Sequence, residues 1–152
     1  MSKLIHPIAG TVALVTILSF WLATVWSEAF AGEQAVRMVK TLVPYGFFIL
    51  VPALMAAGGS GFSLGKHMRG PLIVAKKKRM PIIAANGLLI LIPSALYLSF
   101  KARTGAFDMD FYVIQAIELI AGAANITMLS LNMRDGQRLS RRRAGHPDAN
   151  GA

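Results

Sequence analysis

The chain has 152 residues, no cysteine and a formal net charge of +9. It is 55% hydrophobic with a mean hydropathy of +0.54, too apolar to cover a water-soluble domain of this size with polar surface. A disulfide framework, a thiolate metal site, a cysteine nucleophile and covalently attached c-type haem are thereby excluded.

The first apolar block runs from Leu4 to Ser27. At ~1.5 Å per residue its helix is ~36 Å long, enough to cross a hydrocarbon core of ~30 Å. Ala29-Phe30-Ala31 before Gly32 looks like a signal cleavage site. The apolar stretch, however, exceeds the ~7–15 residues of a signal core, so a retained span is expected. Trp21, Trp26 and Phe30 lie toward its far end, where aromatic rings favour the interface.

Residues 32–40 read as a short polar connection. The second block, 41–65, carries Pro52, which predicts a kink. Gly58-Gly59-Ser60-Gly61 predicts an early helix end or close approach by another helix. A basic island, Lys66 to Arg79, follows. Pro81 suits the start of a third helix over 80–100, which Pro93 bends. Residues 101–110 read as a polar loop. The fourth block, 111–133, is interrupted by Glu118. Residues 1–139 thus form one transmembrane domain, and 140–152 a basic, disordered tail.

Twelve of the sixteen Lys and Arg fall on one side of this scheme: Lys3, the island and the tail. That side should be cytoplasmic, with both termini inside. The basic runs flank spans and lack interleaved aromatics, so nucleic acid is not the expected partner. Small residues recur every four positions at Ser19, Ala23, Ser27 and Ala31, and at Ala53, Ala57, Gly61 and Gly65. Such ridges allow close helix approach in lipid. The fold class read from these features is all-α: an integral membrane, antiparallel four-helix bundle with spans of about 4–27, 41–65, 80–100 and 111–133.

HPIAG at 6–10, KKKRMPIIAANG at 76–87, FYVIQAIELIAGAAN at 111–125 and LNMRDG at 131–136 resemble a family of small four-span bacterial inner-membrane proteins. The likeness covers roughly residues 4–139. It implies that membrane and four spans, and it supplies no activity, cofactor or catalytic residue.

Three readings of function come from the residues. His6 and His67 share a membrane side on this topology and are candidate axial ligands of haem b. Lys66 and Arg69 are candidate partners of the haem propionates. The chain would then be a small cytochrome-like electron-transfer module. A second reading is a non-catalytic accessory or scaffold subunit, binding anionic lipid and a larger membrane complex or further copies of itself. Lys76, Lys77, Lys78 and Arg79 are its candidate head-group contacts. A third is a small proton conduit or transporter. Gln115, Glu118 and Asn125 share one helix face, and Asn86 is placed to meet it. An ionised Glu118 inside a span must gain a partner or a proton. No hydrolase motif and no catalytic residue is found, so enzymatic activity is not expected.

Overall fold

Apolar blocks this long satisfy their backbone polar groups only as helices when lipid is the solvent. The computed structural model describes residues 2–65 and 71–144, and among these every regular element is helical. Helix α1 spans Ser2–Trp26, α2 Gly32–Gly65, α3 Pro71–Asn86, α4 Ile92–Thr104 and α5 Met109–Ala144. Wide π-helical turns join α1 to α2 (Ser27–Ala31) and α3 to α4 (Gly87–Leu91).

Three helical runs are long and apolar enough to cross a membrane: Ile5–Gly61, Ile73–Thr104 and Met109–Arg138. The first doubles back on itself. Gly32 takes φ 75° and ψ 174°, a conformation that a side chain disfavours and glycine adopts freely. His6 of α1 consequently meets Ala57 of α2. Between these points Gly46 faces the ring of Phe20, and a methyl at 46 would overlap that ring. Gly46→Leu should cost about 1–3 kcal/mol, as overpacking of a tight contact does. Thermal melting in detergent reads this directly; an unchanged midpoint would mean that α1 and α2 do not approach here.

The second reversal is a true loop. Helix α4 ends at Thr104 and α5 begins at Met109. Asp108 accepts a hydrogen bond from the Phe111 N–H at 3.1 Å and pairs with Lys101. The Lys101 ammonium and that N–H hold the exposed Asp108 carboxyl below the usual carboxylate range. Helix α1 packs on α2 and α5, and α4 packs on α2 and α5.

Several boundaries differ from expectation. Residues 32–40 are helical rather than a connection, because the reversal is made by the π turn and Gly32 alone. Helix α2 runs through the glycines to Gly65. Helix α3 starts at Pro71, so Pro81 lies inside it and the 76–79 run is on a helix. Pro93 lacks the N–H that an α-helix would direct to residue 89. The π turn just before it absorbs the misfit, with the Ile92 N–H bonded to the Gly87 carbonyl. The loop after α4 is shorter than 101–110, and α5 reaches Ala144, so residues 140–144 of the expected tail are helical.

The outer surface is apolar, with Phe48, Met55, Leu89, Phe100 and Ile120 among the exposed side chains. Trp26 and Phe30 are exposed at the Gly32 end with ring centroids 4.9 Å apart. Trp21 instead turns inward and donates to the Leu119 carbonyl at 3.0 Å. The small-residue ridge of α1 is only partly an interface: Ser27 is buried, whereas Ser19 and Ala31 are exposed.

The interior holds two separate apolar clusters. Val36, Leu98, Ala102 and Phe111 form one near the Gly32 end. Ala13, Ile17, Leu50, Ile83 and Leu129 form the other, nearer the N-terminus. Buried polar side chains accompany them, among further apolar residues such as Val43, Ala57, Ala95 and Ala121.

Candidate functional site

Helix α5 buries polar side chains along one face: Gln115, Asn125, Asn132 and Asp135 are each at most 6% exposed. Glu118 on the same face is 14% exposed. At ~1.5 Å per residue the line from Gln115 to Asp135 is ~30 Å long, the thickness of a bilayer core. Ionisable groups stand at both of its ends.

At the first end Glu118 pairs with Lys40 of α2, through a hydrogen-bonded ion pair. Lys40 is 1% exposed and is among the largest fully buried side chains. It lies between Val36 and Leu50 on α2, and Glu118 lies between Phe111 and Leu129 on α5. The pair is therefore flanked by an apolar cluster on each side, where low polarity strengthens the attraction. Glu28, in the π turn, also interacts electrostatically with both Lys40 and Glu118. Its Oε1 is buried and has no hydrogen-bond partner among the described residues. The same holds for both amide atoms of Gln115. Glu118 also borders a cavity of about 60 Å³ shared with Trp21, Thr24 and Gly122. A water needs ~10–15 Å³ of such space, so it fits beside the carboxylate.

Midway, Asn86 donates to Asn125 Oδ1 at 2.9 Å and to the Ala121 carbonyl at 2.8 Å. Asn125 in turn donates to the Ile83 carbonyl at 3.4 Å. Bonds of this kind between membrane helices contribute ~0.6 kcal/mol each and set helix register.

At the other end Arg79 of α3 bonds Asp135 at 2.7 Å, with Asp135 2% exposed. Lys76, one turn earlier, donates to His6 Nε2 at 2.8 Å. His6 Nδ1–H donates to the Ala57 carbonyl at 2.9 Å, which defines the neutral tautomer with Nε2 as acceptor. Gly61 leaves room for this ring. His6 and Lys76 border a cavity of about 430 Å³, walled largely by apolar side chains of α1, α2, α3 and α5.

The basic island is thus divided by helix rotation. Lys77 and Lys78 are exposed. Lys76 and Arg79 turn inward to His6 and Asp135 instead. They are one turn apart and so share a face that the helix directs to its neighbours.

His67, Lys66 and Arg69 lie outside the described residues. Of the expected haem site only His6 is described, and both of its ring nitrogens are engaged. No group of three or more His, Asp or Glu side chains suited to a metal ion occurs among the described residues.

Two residues of this candidate site are not evident from the sequence. Lys40 sits at the edge of an apolar block and reads as a loop charge. Asp135 sits just beyond the fourth block and reads as tail. Neither carries a local signal, since Lys40 has the sequence neighbours of a loop charge and Asp135 those of a solvated tail.

A scan of protein-family models finds no match, and neither the curated proteins nor the solved structures contain a detectably similar chain.

Proposed function

We propose that this chain is a four-span, antiparallel bundle of the bacterial cytoplasmic membrane, with both termini cytoplasmic, and that it conducts protons through its interior. The orientation is supported by the bias of Lys and Arg toward the island and tail. The conduction is supported above all by the ion pair between the fully buried Lys40 and Glu118, with Glu28 within electrostatic reach of both. Ionisable residues at membrane depth are costly to keep, and they mark proton or ion paths.

Charge balance defines the chemistry. Two carboxylates and one ammonium carry a net charge of −1. One added proton makes the group neutral, the state a medium of low polarity favours. Lys40 holds one carboxylate ionised while the other takes the proton, and Gln115 and the adjoining cavity supply unpaired polar atoms for transfer. At the opposite end His6, which titrates near neutrality in water, and the Asp135 pair provide exchange with the cytoplasm.

The test is proton flux into liposomes under an imposed potential. Glu118→Gln should reduce flux about tenfold or more, the scale of a lost proton-transfer group. Equal flux from wild type and Glu118→Gln removes the role of Glu118. No flux from the wild type returns the chain to the class of accessory subunits that bind anionic lipid or a larger complex.

A haem b module is the rival reading. What favours it is the cavity bordered by His6 and Gly58. Ligation through Nε2 requires Lys76 to leave that atom. A reduced-minus-oxidised spectrum without a b-type band, or with one insensitive to His6→Ala and His67→Ala, eliminates it.

A further inference from the structure

The cavity beside His6 has features that proton conduction does not use. Its volume of about 430 Å³ lies within the ~300–1,000 Å³ typical of small-molecule sites. Leu54, Ile83 and Leu129 give it an apolar wall. Its polar lining includes Lys76, Asn132 and His6.

Lys76 Nζ donates to a neutral imidazole, and among the described residues it forms no ion pair. The nearby carboxylate, Asp135, is already taken by Arg79 at 2.7 Å. Arg79, Arg134 and Lys76 thus all draw on one buried carboxylate, and Lys76 is left with a positive charge beside an apolar chamber. Such a charge calls for an anion. Asn132 is a second, independent sign. It is 6% exposed and lines the same cavity. Its Oδ1 is buried without a partner, and its Nδ2 has only the sulfur of Met80, at 3.6 Å. The amide thus carries hydrogen-bonding capacity that the described residues leave unmet beside the cavity.

We propose that this cavity binds an anionic amphiphile, with its acidic oxygen head between Lys76 and Asn132 and its hydrocarbon body along Leu54, Ile83 and Leu129. The head is a carboxylate or a phosphate monoester. Both accept charge-assisted hydrogen bonds from an ammonium and an amide. The wall demands the chain: an inorganic anion would leave the apolar surface unfilled. The site is at the opposite end of the polar line from Lys40 and Glu118; it shares His6 with the proposed exchange end, but binding is read without any flux measurement, so its failure is distinguishable from that of proton conduction.

The experiment uses the full chain in mild detergent, with oleate, oleoyl lysophosphatidic acid and uncharged monoolein as probes. Native mass spectrometry reads occupancy, and thermal melting reads stabilisation. A single equivalent of an acidic probe should bind, with monoolein about tenfold weaker or worse, since it lacks the charge. Preference for oleate assigns a free fatty acid as the source. Preference for the monoester assigns a lipid phosphate. Lys76→Gln should weaken the acidic probe about tenfold and leave monoolein unchanged. Gly58→Leu keeps the charge and fills the chamber, because a Cβ there has only Met80 Cε within 4 Å, at 3.9 Å. It should exclude all three probes while the protein still melts cooperatively, so the proposal stays testable if Lys76→Gln fails to fold. Equal binding of monoolein and oleate, undiminished binding to Gly58→Leu, or a b-type absorption band in the protein as purified would each overturn the proposal.

Discussion

Lys40→Met is expected to be the most damaging single substitution in the molecule, and more damaging than Glu118→Gln. Methionine reproduces the lysine stem as far as Cε and lacks only the terminal nitrogen, so the loss is chiefly one of charge. It removes the cation that pairs with Glu118 and that, at longer range, also balances Glu28. The cost has a ceiling, because a carboxyl can take a proton instead. Neutralising a group of ordinary pKa ~4.3 at pH 7 costs about 3.7 kcal/mol, at ~1.36 per unit. A loss on the order of 3–4 kcal/mol is therefore expected, in line with other broken buried pairs. Glu118→Gln leaves Lys40 with Glu28 as a substitute partner, so a loss of about half that size follows. In Lys40→Met/Glu118→Gln the two lost charges compensate, and the double variant should be more stable than Lys40→Met alone. The loss in Lys40→Met should also shrink on acidification, since protonation removes the charges that lysine balanced. Melting in detergent at pH 5 and pH 7.5 checks both statements. A double variant no better than Lys40→Met would show that Lys40 and Glu118 are not coupled.

The second large effect is expected at Arg79. Arg79→Leu strands a carboxylate that is 2% exposed. Breaking a buried pair costs about 3–5 kcal/mol. The low end applies here, because the Arg134 guanidinium lies 4.0 Å from the other oxygen and Lys76 also acts on Asp135. Asp135→Asn should be milder. Arg79 is 26% exposed and can carry its charge toward the head groups. The neighbouring Lys77→Ala and Lys78→Ala, both exposed, should change stability by less than about 0.5 kcal/mol. If all four positions respond alike, the inward turn of Arg79 is refuted. The contrast separates a structural cation from the solvated remainder of the island, which composition alone does not do.

The polar face of α5 was legible because helical spacing is a local property. Gln115, Glu118 and Asn125 fall on one side whatever the rest of the chain does, and a charge in an apolar block demands a partner. The identity of that partner was not legible. Lys40 lies 78 residues from Glu118, and its neighbours in sequence are those of a loop. The same limit hides Asp135, whose place at the end of a span is indistinguishable from that of a solvated tail.

What the sequence determined by itself is helicity, apolar segments long enough to cross a membrane and the segregation of cationic residues. These follow from hydropathy and charge summed over short windows, and such sums need no knowledge of which segment meets which. What only the tertiary structure decided is the rotation and register of each helix. That choice carried Lys40 onto Glu118, turned Lys76 and Arg79 inward and left Lys77 and Lys78 outside. It depends on contacts between distant segments, where a rotation of one residue, ~100° of a helix turn, exchanges buried and exposed faces.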